Sequence, residues 1–302
     1  VEKAFVLGAG LGTRLHPLTE TLPKPLVPVH NRPLITHAFD HLLGAGVGGF
    51  IINTHHLAST YRETFPEGSY RGAPLTFRHE PVLLETGGGI ANIADLCPSH
   101  LIVYNGDILS DLPLEGALGH HKSSGSLVTL VLRSNHPAKH IAFDPGSRRV
   151  LDIRNRLDIG APHEFGFTGI YVVSPEFFPH LPPVSKYSVI PVFLDLIKNG
   201  GQVSGFVVDG GTWSDLGDRE TYLRAHCDAG YKPTVATDAH VHPSAILLGA
   251  TFIGSGAKVS GGSQVTDSVL WPGSRVGENA TLKRCIVRTG KTATGNLTNV
   301  DV

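Results

Sequence analysis

Near its amino terminus the chain reads Gly8-Ala-Gly-Leu-Gly-Thr-Arg-Leu-His-Pro-Leu-Thr-Glu-Thr-Leu-Pro-Lys-Pro-Leu26, directly after the apolar run Ala4–Leu7. Gly8, Gly10 and Gly12 permit a tight curl with positive φ, in which successive backbone amides form an anion-binding nest. Arg14 adds a planar fork of donors matched to phosphate oxygens. Lys24, stiffened by Pro23 and Pro25, is a second cation in a defined place. A loop of this make-up suits a polyphosphate. Two common phosphate motifs are excluded: Thr13 stands where the dinucleotide fingerprint needs its third glycine, and no stretch fits the P-loop pattern. A glycine-rich turn alone is equally a tight strand-to-helix connection. Two aspartates are further candidates. Asp107 follows the apolar run Leu101–Tyr104, and Asp215 lies within Trp213-Ser-Asp-Leu-Gly217; taken singly, either also reads as a turn or helix cap.

The elements that must carry these residues are legible from periodicity. Ala4–Leu7, Phe50–Asn53, Leu101–Tyr104 and Leu127–Leu132 are near-continuous apolar runs, as in strands covered on both faces. Pro33–Gly44 reads as a helix, with Leu34, Ile35, Ala38, Phe39, Leu42 and Leu43 on one stripe. Ser188–Asn199 and Asp218–Ala229 read as later helices, and Phe143–Val150 as a hairpin at the sheet edge. The order βαβαβ predicts an α/β fold, a Rossmann-like doubly wound mixed sheet, whose ligands gather at the carboxyl ends of strands. After Lys232-Pro233 the texture changes. Val241, Leu247, Ile253, Val259, Val265 and Trp271 recur every six residues, with mostly small residues four places after each, before a one-residue slip restarts the pattern at Val276. Such hexads predict a β-helix of about three coils. The expected domains are 1–232 and 233–302.

Composition narrows the function classes. Across 302 residues the net charge is −1, which argues against general nucleic-acid binding. The apolar runs are too short to span a bilayer, and no secretion signal opens the sequence. Three separated cysteines suit a reduced cytoplasmic chain. The 17 histidines invite a metal reading, but His37 and His41 read as a solvated helix face, and His55-His56 and His120-His121 lack ligand partners at metal spacing.

The full stretch G-x-G-x-R-L-x-P-L-T-x-x-x-P-K-P-L resembles the signature of the sugar-nucleotide pyrophosphorylases, which join a sugar 1-phosphate to a nucleoside triphosphate. Ile52-Asn-Thr-His-His-Leu-Ala, Leu84-Glu-Thr-Gly-Gly-Gly-Ile and Tyr104-Asn-Gly-Asp-Ile are most similar to the branch with N-acetylmuramate-1-phosphate uridylyltransferases and mannose-1-phosphate guanylyltransferases. Phe167-Thr-Gly-Ile-Tyr-Val and Gly211-Thr-Trp-Ser-Asp-Leu-Gly match later segments, and the hexad tail resembles a left-handed β-helix. The resemblance implies Arg14, Lys24, Asp107 and Asp215 as catalytic residues, the two aspartates holding Mg²⁺, for which carboxylate and phosphate oxygens are suitable ligands.

Nucleotide contacts are expected from Leu7, Gly8, Ala9, Gly10, Gly12 and Thr13, and from Glu85, Thr86 and Gly87. Glu80 is either a base-reading carboxylate or a solvated strand end. Asn105 and Thr168 are sugar candidates, and Asn53 and His56 are expected at the same mouth. Where relatives carry Glu-Lys-Pro, this chain has Leu151-Asp-Ile-Arg-Asn-Arg, so Arg154 or Arg156 takes the sugar-phosphate role. The implied partners are a nucleoside triphosphate and a sugar 1-phosphate, either mannose 1-phosphate with GTP or N-acetylmuramate 1-phosphate with UTP. No nucleic acid or membrane partner is expected. The tail is expected to join copies into a homo-oligomer. The competing reading is a catalytically silent regulatory or assembly subunit.

Overall fold

The computed structural model describes residues 3–97, 99–228 and 232–302. It divides into two compact units that do not follow chain order: residues 1–11 with 35–213, and residues 12–34 with 214–302. The glycine-rich signature is thus shared between them.

The first unit is built on a ten-stranded sheet. Its strands are β1 (Lys3–Leu7), β2 (Gly49–Thr54), β3 (Ser69–Tyr70), β4 (Ala73–His79), β5 (Leu101–Asn105), β6 (Val128–Arg133), β7 (Ile141–Asp144), β8 (Arg149–Ile153), β9 (His163–Val173) and β10 (Val203–Val207). The helices of the chain are α1 (Leu34–Gly44), α2 (Ser59–Thr64), α3 (Glu85–Ala91), α4 (Glu115–Ser124), α5 (Val189–Lys198) and α6 (Arg219–Asp228). The strand order is β7-β8-β10-β6-β9-β5-β1-β2-β4-β3. β5, β1, β2 and β4 run parallel, while β9 is antiparallel to both β5 and β6. The sheet is therefore mixed, as expected.

Both faces are covered, which is why the strands are apolar throughout. Phe5, Val103, Leu130 and Tyr171 pack with Ile90 next to α3's end and with Val189 and Phe193 of α5. On the opposite face Phe39 of α1 stacks on Phe50, with ring centroids 4.4 Å apart. Ser188 caps α5 by accepting from the Ile190 amide. The Asp144-Pro-Gly hairpin forms as expected, but it is not a sheet edge. β7 also pairs with β9, so β7, β8, β10, β6 and β9 close into a ring, leaving no open strand there.

In the second unit the tail winds as a left-handed β-helix with three parallel sheets of four strands each. Inward ladders run Ile253–Leu270–Val287, Val241–Val259–Val276–Ala293 and Leu247–Val265–Leu282–Leu297, and Val235, 42% exposed, pairs beside Ile253 as the first rung of the first ladder. There are four rungs per ladder, not the three coils expected. The one-residue slip falls before Leu270, so Leu270 and not Trp271 is the inward residue. Trp271 is buried elsewhere, its indole N–H donating to the Tyr222 hydroxyl at 3.0 Å. α6 covers most of the helix expected over Asp218–Ala229; Ala229 lies outside the described residues.

Candidate active site

In the first unit β1 ends at Leu7, and the chain turns at Gly8. Gly8 cannot carry a side chain, because a Cβ would sit 2.7 Å from the Asn53 carbonyl oxygen and 2.9 Å from the Tyr61 hydroxyl. Its N–H donates to Asn53 Oδ1 at 2.7 Å, and its carbonyl accepts from the Tyr61 hydroxyl at 2.9 Å. Both polar groups of Gly8 are thus engaged inside the fold. Leu7 is held likewise, its carbonyl accepting from the Gly106 amide at 3.1 Å. Ala9 is buried, and Gly10 is exposed with open space on its Cβ side. The part of the curl turned to solvent begins at Gly10.

At the carboxyl end of β5, the turn Asn105-Gly106-Asp107 presses against Leu7. A Cβ on Gly106 would lie 2.3 Å from the Leu7 carbonyl oxygen, so only glycine brings Asp107 to this end of the sheet. Asn105 packs its amide across Gly169, whose φ is +79°.

Other expected contacts are turned inward. Glu80 is fully buried; Oε1 accepts from Asn53 Nδ2 at 2.8 Å and Oε2 from the Leu84 amide at 3.0 Å. It is neither a solvated strand end nor open to a base, and Asn53, 2 % exposed, does not line a mouth. His56 is half-buried. Thr86 Oγ1 accepts from the Val189 amide, and the Gly87 amide donates to the Tyr187 carbonyl at 2.9 Å. These groups clamp α3 against Tyr187 and Val189 at the start of α5. The Glu85 side chain is half-exposed, 3.8 Å from Lys186 Nζ.

Thr168, a sugar candidate, is tied into the sheet. It is buried, its hydroxyl donating to the Val131 carbonyl and accepting from the Ile170 amide, while its carbonyl takes the Trp213 indole N–H. Arg154 and Arg156 are exposed on a turn organised by the buried Asp152, which accepts from the Arg156 and Leu157 amides. His41 is not on a solvated face either. Its ring sits between the Tyr104 hydroxyl and the Leu112 carbonyl, and burial draws its pKa below the ordinary imidazole value.

The second unit gathers three of the four expected catalytic residues. Gly12 is in the left-handed region, φ +63°, and Thr19 Oγ1 donates to its carbonyl. Thr13 and Arg14 are exposed, and the Arg14 guanidinium lies across Gly217, with Nη1 2.9 Å from where a Cβ would stand. Lys24 is 7 % exposed at the start of a buried 3-10 turn, with Nζ 3.8 Å from Asp215 Oδ1. Hydrogen bonds from Thr221, with a smaller contribution from the Arg14 charge, hold Asp218 below the usual carboxylate range. Two cations therefore converge on the segment Asp215–Gly217, one from each end of the signature loop. Such a constellation suits phosphate oxygens.

The sequence family described as nucleotidyl transferase matches residues 3–231. The chain belongs to this family. A second family, described as GlmU-like C-terminal hexapeptide, matches residues 225–297. Over 300 aligned residues the chain is 32% identical to a mannose-1-phosphate guanylyltransferase of Mycobacterium tuberculosis, covering 93% of this chain and 83% of that protein. A mannose-1-phosphate guanyltransferase of Schizosaccharomyces pombe is 30% identical, covering 74% of this chain and 63% of the relative. Among solved structures, HddC from Yersinia pseudotuberculosis in complex with GMP-PN shares the fold, with a TM-score of 0.61 and 24% identity over 74% of this chain and 98% of that one. No helix among the described residues is long and apolar enough to cross a membrane.

Proposed function

We propose that this nucleotidyltransferase joins a sugar 1-phosphate to a nucleoside triphosphate, giving a nucleoside-diphosphate sugar and pyrophosphate, and that mannose 1-phosphate and GTP are its pair. The observation that carries the reaction class is the convergence of Arg14 and Lys24 on Asp215–Gly217. The choice of pair rests on the likeness to mannose-1-phosphate guanylyltransferases over nearly the whole chain.

A sugar-phosphate oxygen attacks the α-phosphorus, the bond to the β-phosphate oxygen breaks, and pyrophosphate leaves with that electron pair. The attacking oxygen is already anionic, so no general base is required, and catalysis is mostly positioning and charge stabilisation. In this reading Arg14 stabilises charge on the triphosphate, Lys24 holds the sugar phosphate, and the exposed curl at Gly10 admits the nucleotide. The carboxylates of Asp107 and of Asp215 are each oxygen-only donors of the kind Mg²⁺ prefers, and each is a candidate ligand in its own right. The ion, when bound, neutralises charge on the phosphates.

The test is a matrix of nucleoside triphosphates against sugar 1-phosphates with Mg²⁺, read as pyrophosphate release. GTP with mannose 1-phosphate is expected to give the highest kcat/KM. Preference for UTP with N-acetylmuramate 1-phosphate would overturn the substrate pair, and no release from any pair would favour a silent subunit.

A further inference from the structure

Four residues from three distant segments form one continuous polar line in the first unit. The Gly8 N–H donates to Asn53 Oδ1, Asn53 Nδ2 donates to Glu80 Oε1, and the Leu84 N–H donates to Glu80 Oε2, at 2.7, 2.8 and 3.0 Å. Asn53 and Glu80 are 2 % and 0 % exposed. The Glu80 backbone is pinned as well, its N–H on the Thr54 carbonyl and its carbonyl accepting from His55 Nδ1. One end of the line is the turn that opens the glycine curl. The other is the residue before α3, the second segment where nucleotide contacts were expected.

The polarity of this line has no freedom. Each end is a backbone N–H, which can only donate. Asn53 must therefore turn its oxygen to Gly8 and its NH₂ to Glu80, and both Glu80 oxygens must accept. Buried and shielded from water, a misdirected donor would have no alternative partner.

We propose that Asn53 and Glu80 are positioning residues of the transferase: a directional relay that locks the Gly8 turn to the α3 entrance, so that the glycine curl meets the nucleotide in one geometry. The role rests on the reading of function given above. Neither residue touches substrate.

The polarity dictates the experiment. In Glu80→Gln, the amide must turn its oxygen to Leu84 and its NH₂ to the Asn53 NH₂, and flipping either amide only moves the opposed donors to another joint. Asn53→Asp opposes two acceptors. The double variant N53D/E80Q restores every joint. The carboxylate introduced at position 53 accepts from both the Gly8 N–H and the NH₂ introduced at position 80, whose amide oxygen accepts from the Leu84 N–H. Each single variant of the full chain is expected to raise the nucleotide KM 10- to 100-fold, leaving the sugar 1-phosphate KM unchanged, and the double variant to recover to within about threefold of the parent. Amide hydrogen exchange at Gly8 and Leu84 should speed up in the singles and slow again in the double. Silent single variants, or a double as impaired as the two losses combined, would overturn the relay. If the parent protein releases no pyrophosphate, the functional reading fails, while the exchange measurement still decides the relay.

Discussion

At the scale of single residues, the two cations of the signature have separable tasks. Lys24 is nearly buried and fixed between prolines, and the Asp215 oxygen that faces it, Oδ1, is buried although the side chain as a whole is 44% exposed, so deleting the ammonium removes a charge partner as well as a phosphate contact. Lys24→Met should therefore still fold, with a lowered unfolding midpoint, while kcat/KM for the sugar 1-phosphate falls about 10²- to 10³-fold, the scale of losing one charged contact at a reacting phosphate. Steady-state kinetics beside a urea titration checks this, and a variant with parental turnover would remove Lys24 from the mechanism. These residues were legible because their chemistry lies within one short segment: glycines to curl it, prolines to stiffen it, cations to serve it. The relay was not. Whether Glu80 is solvated, reads a base or bridges two loops depends on the alignment of β1, β2 and β4, and nothing near Glu80 in sequence names Asn53 or Leu84. Tyr61, which holds the Gly8 carbonyl, belongs to none of the motifs read in the sequence.

At the scale of elements, strand and helix positions followed apolar periodicity closely, because burial on both faces of a sheet writes itself as uninterrupted hydrophobic runs. Pairing was harder to read. The closure of β7 on β9 comes from the eleven-residue length of β9 and register shifts within it, and neither has a local signature. The tail's phase was misjudged at Leu270-Trp271, because two adjacent apolar residues satisfy a six-residue rule equally well. Only the ladder to Ile253 chooses between them. The seam between α4 and the sheet was also unanticipated. His121, 1 % exposed, meets Thr129 Oγ1 at 2.8 Å and His100 at 3.2 Å, and Thr129 continues to Ser204. Burial, then the neighbouring charges of His100 and His120, push its pKa down to about 4. The folded protein thus binds fewer protons than the unfolded chain between about pH 6.5 and pH 4. The stability this neutral imidazole contributes is complete above the unfolded value and declines as pH falls through that window. About 2 kcal/mol should disappear between pH 7 and pH 5. Urea unfolding at the two values measures the loss, and His121→Gln should flatten the slope. An equal slope in the variant would assign the pH dependence to other groups.

At the scale of the whole molecule, the β-helix has two roles to distinguish, joining copies of the chain and supporting the signature loop. Within the second unit the loop is tied to the tail repeatedly. Asn31 Nδ2 donates to the Ile253 carbonyl at 3.0 Å, and Arg288 Nη1 reaches the Pro17 carbonyl at 2.9 Å and Glu20 at 3.0 Å. Tyr222, which takes the Trp271 indole N–H, donates to the Pro28 carbonyl. The segment that carries Arg14 and Lys24 thus rests on coils and α6, and a cut at residue 232, where the sequence texture changes, would keep α6 but strip the support from the coils. Arg288 isolates the question. It sits on the fourth coil, 14% exposed, and its guanidinium is the tie to Pro17 and Glu20. Removing it costs the bond to the Pro17 carbonyl and a partly screened ion pair on the loop side, about 1 to 3 kcal/mol, and on the tail side a longer bond from Nε to the Val302 carbonyl, while the apolar interior of the coils is untouched. Arg288→Ala should therefore lower kcat/KM about tenfold or more, with the same mass by light scattering and an unfolding midpoint shifted by only a few degrees. If the solenoid serves assembly alone, the same substitution leaves turnover where it was. A variant that keeps parental turnover would make the loop's contacts with the tail incidental to catalysis.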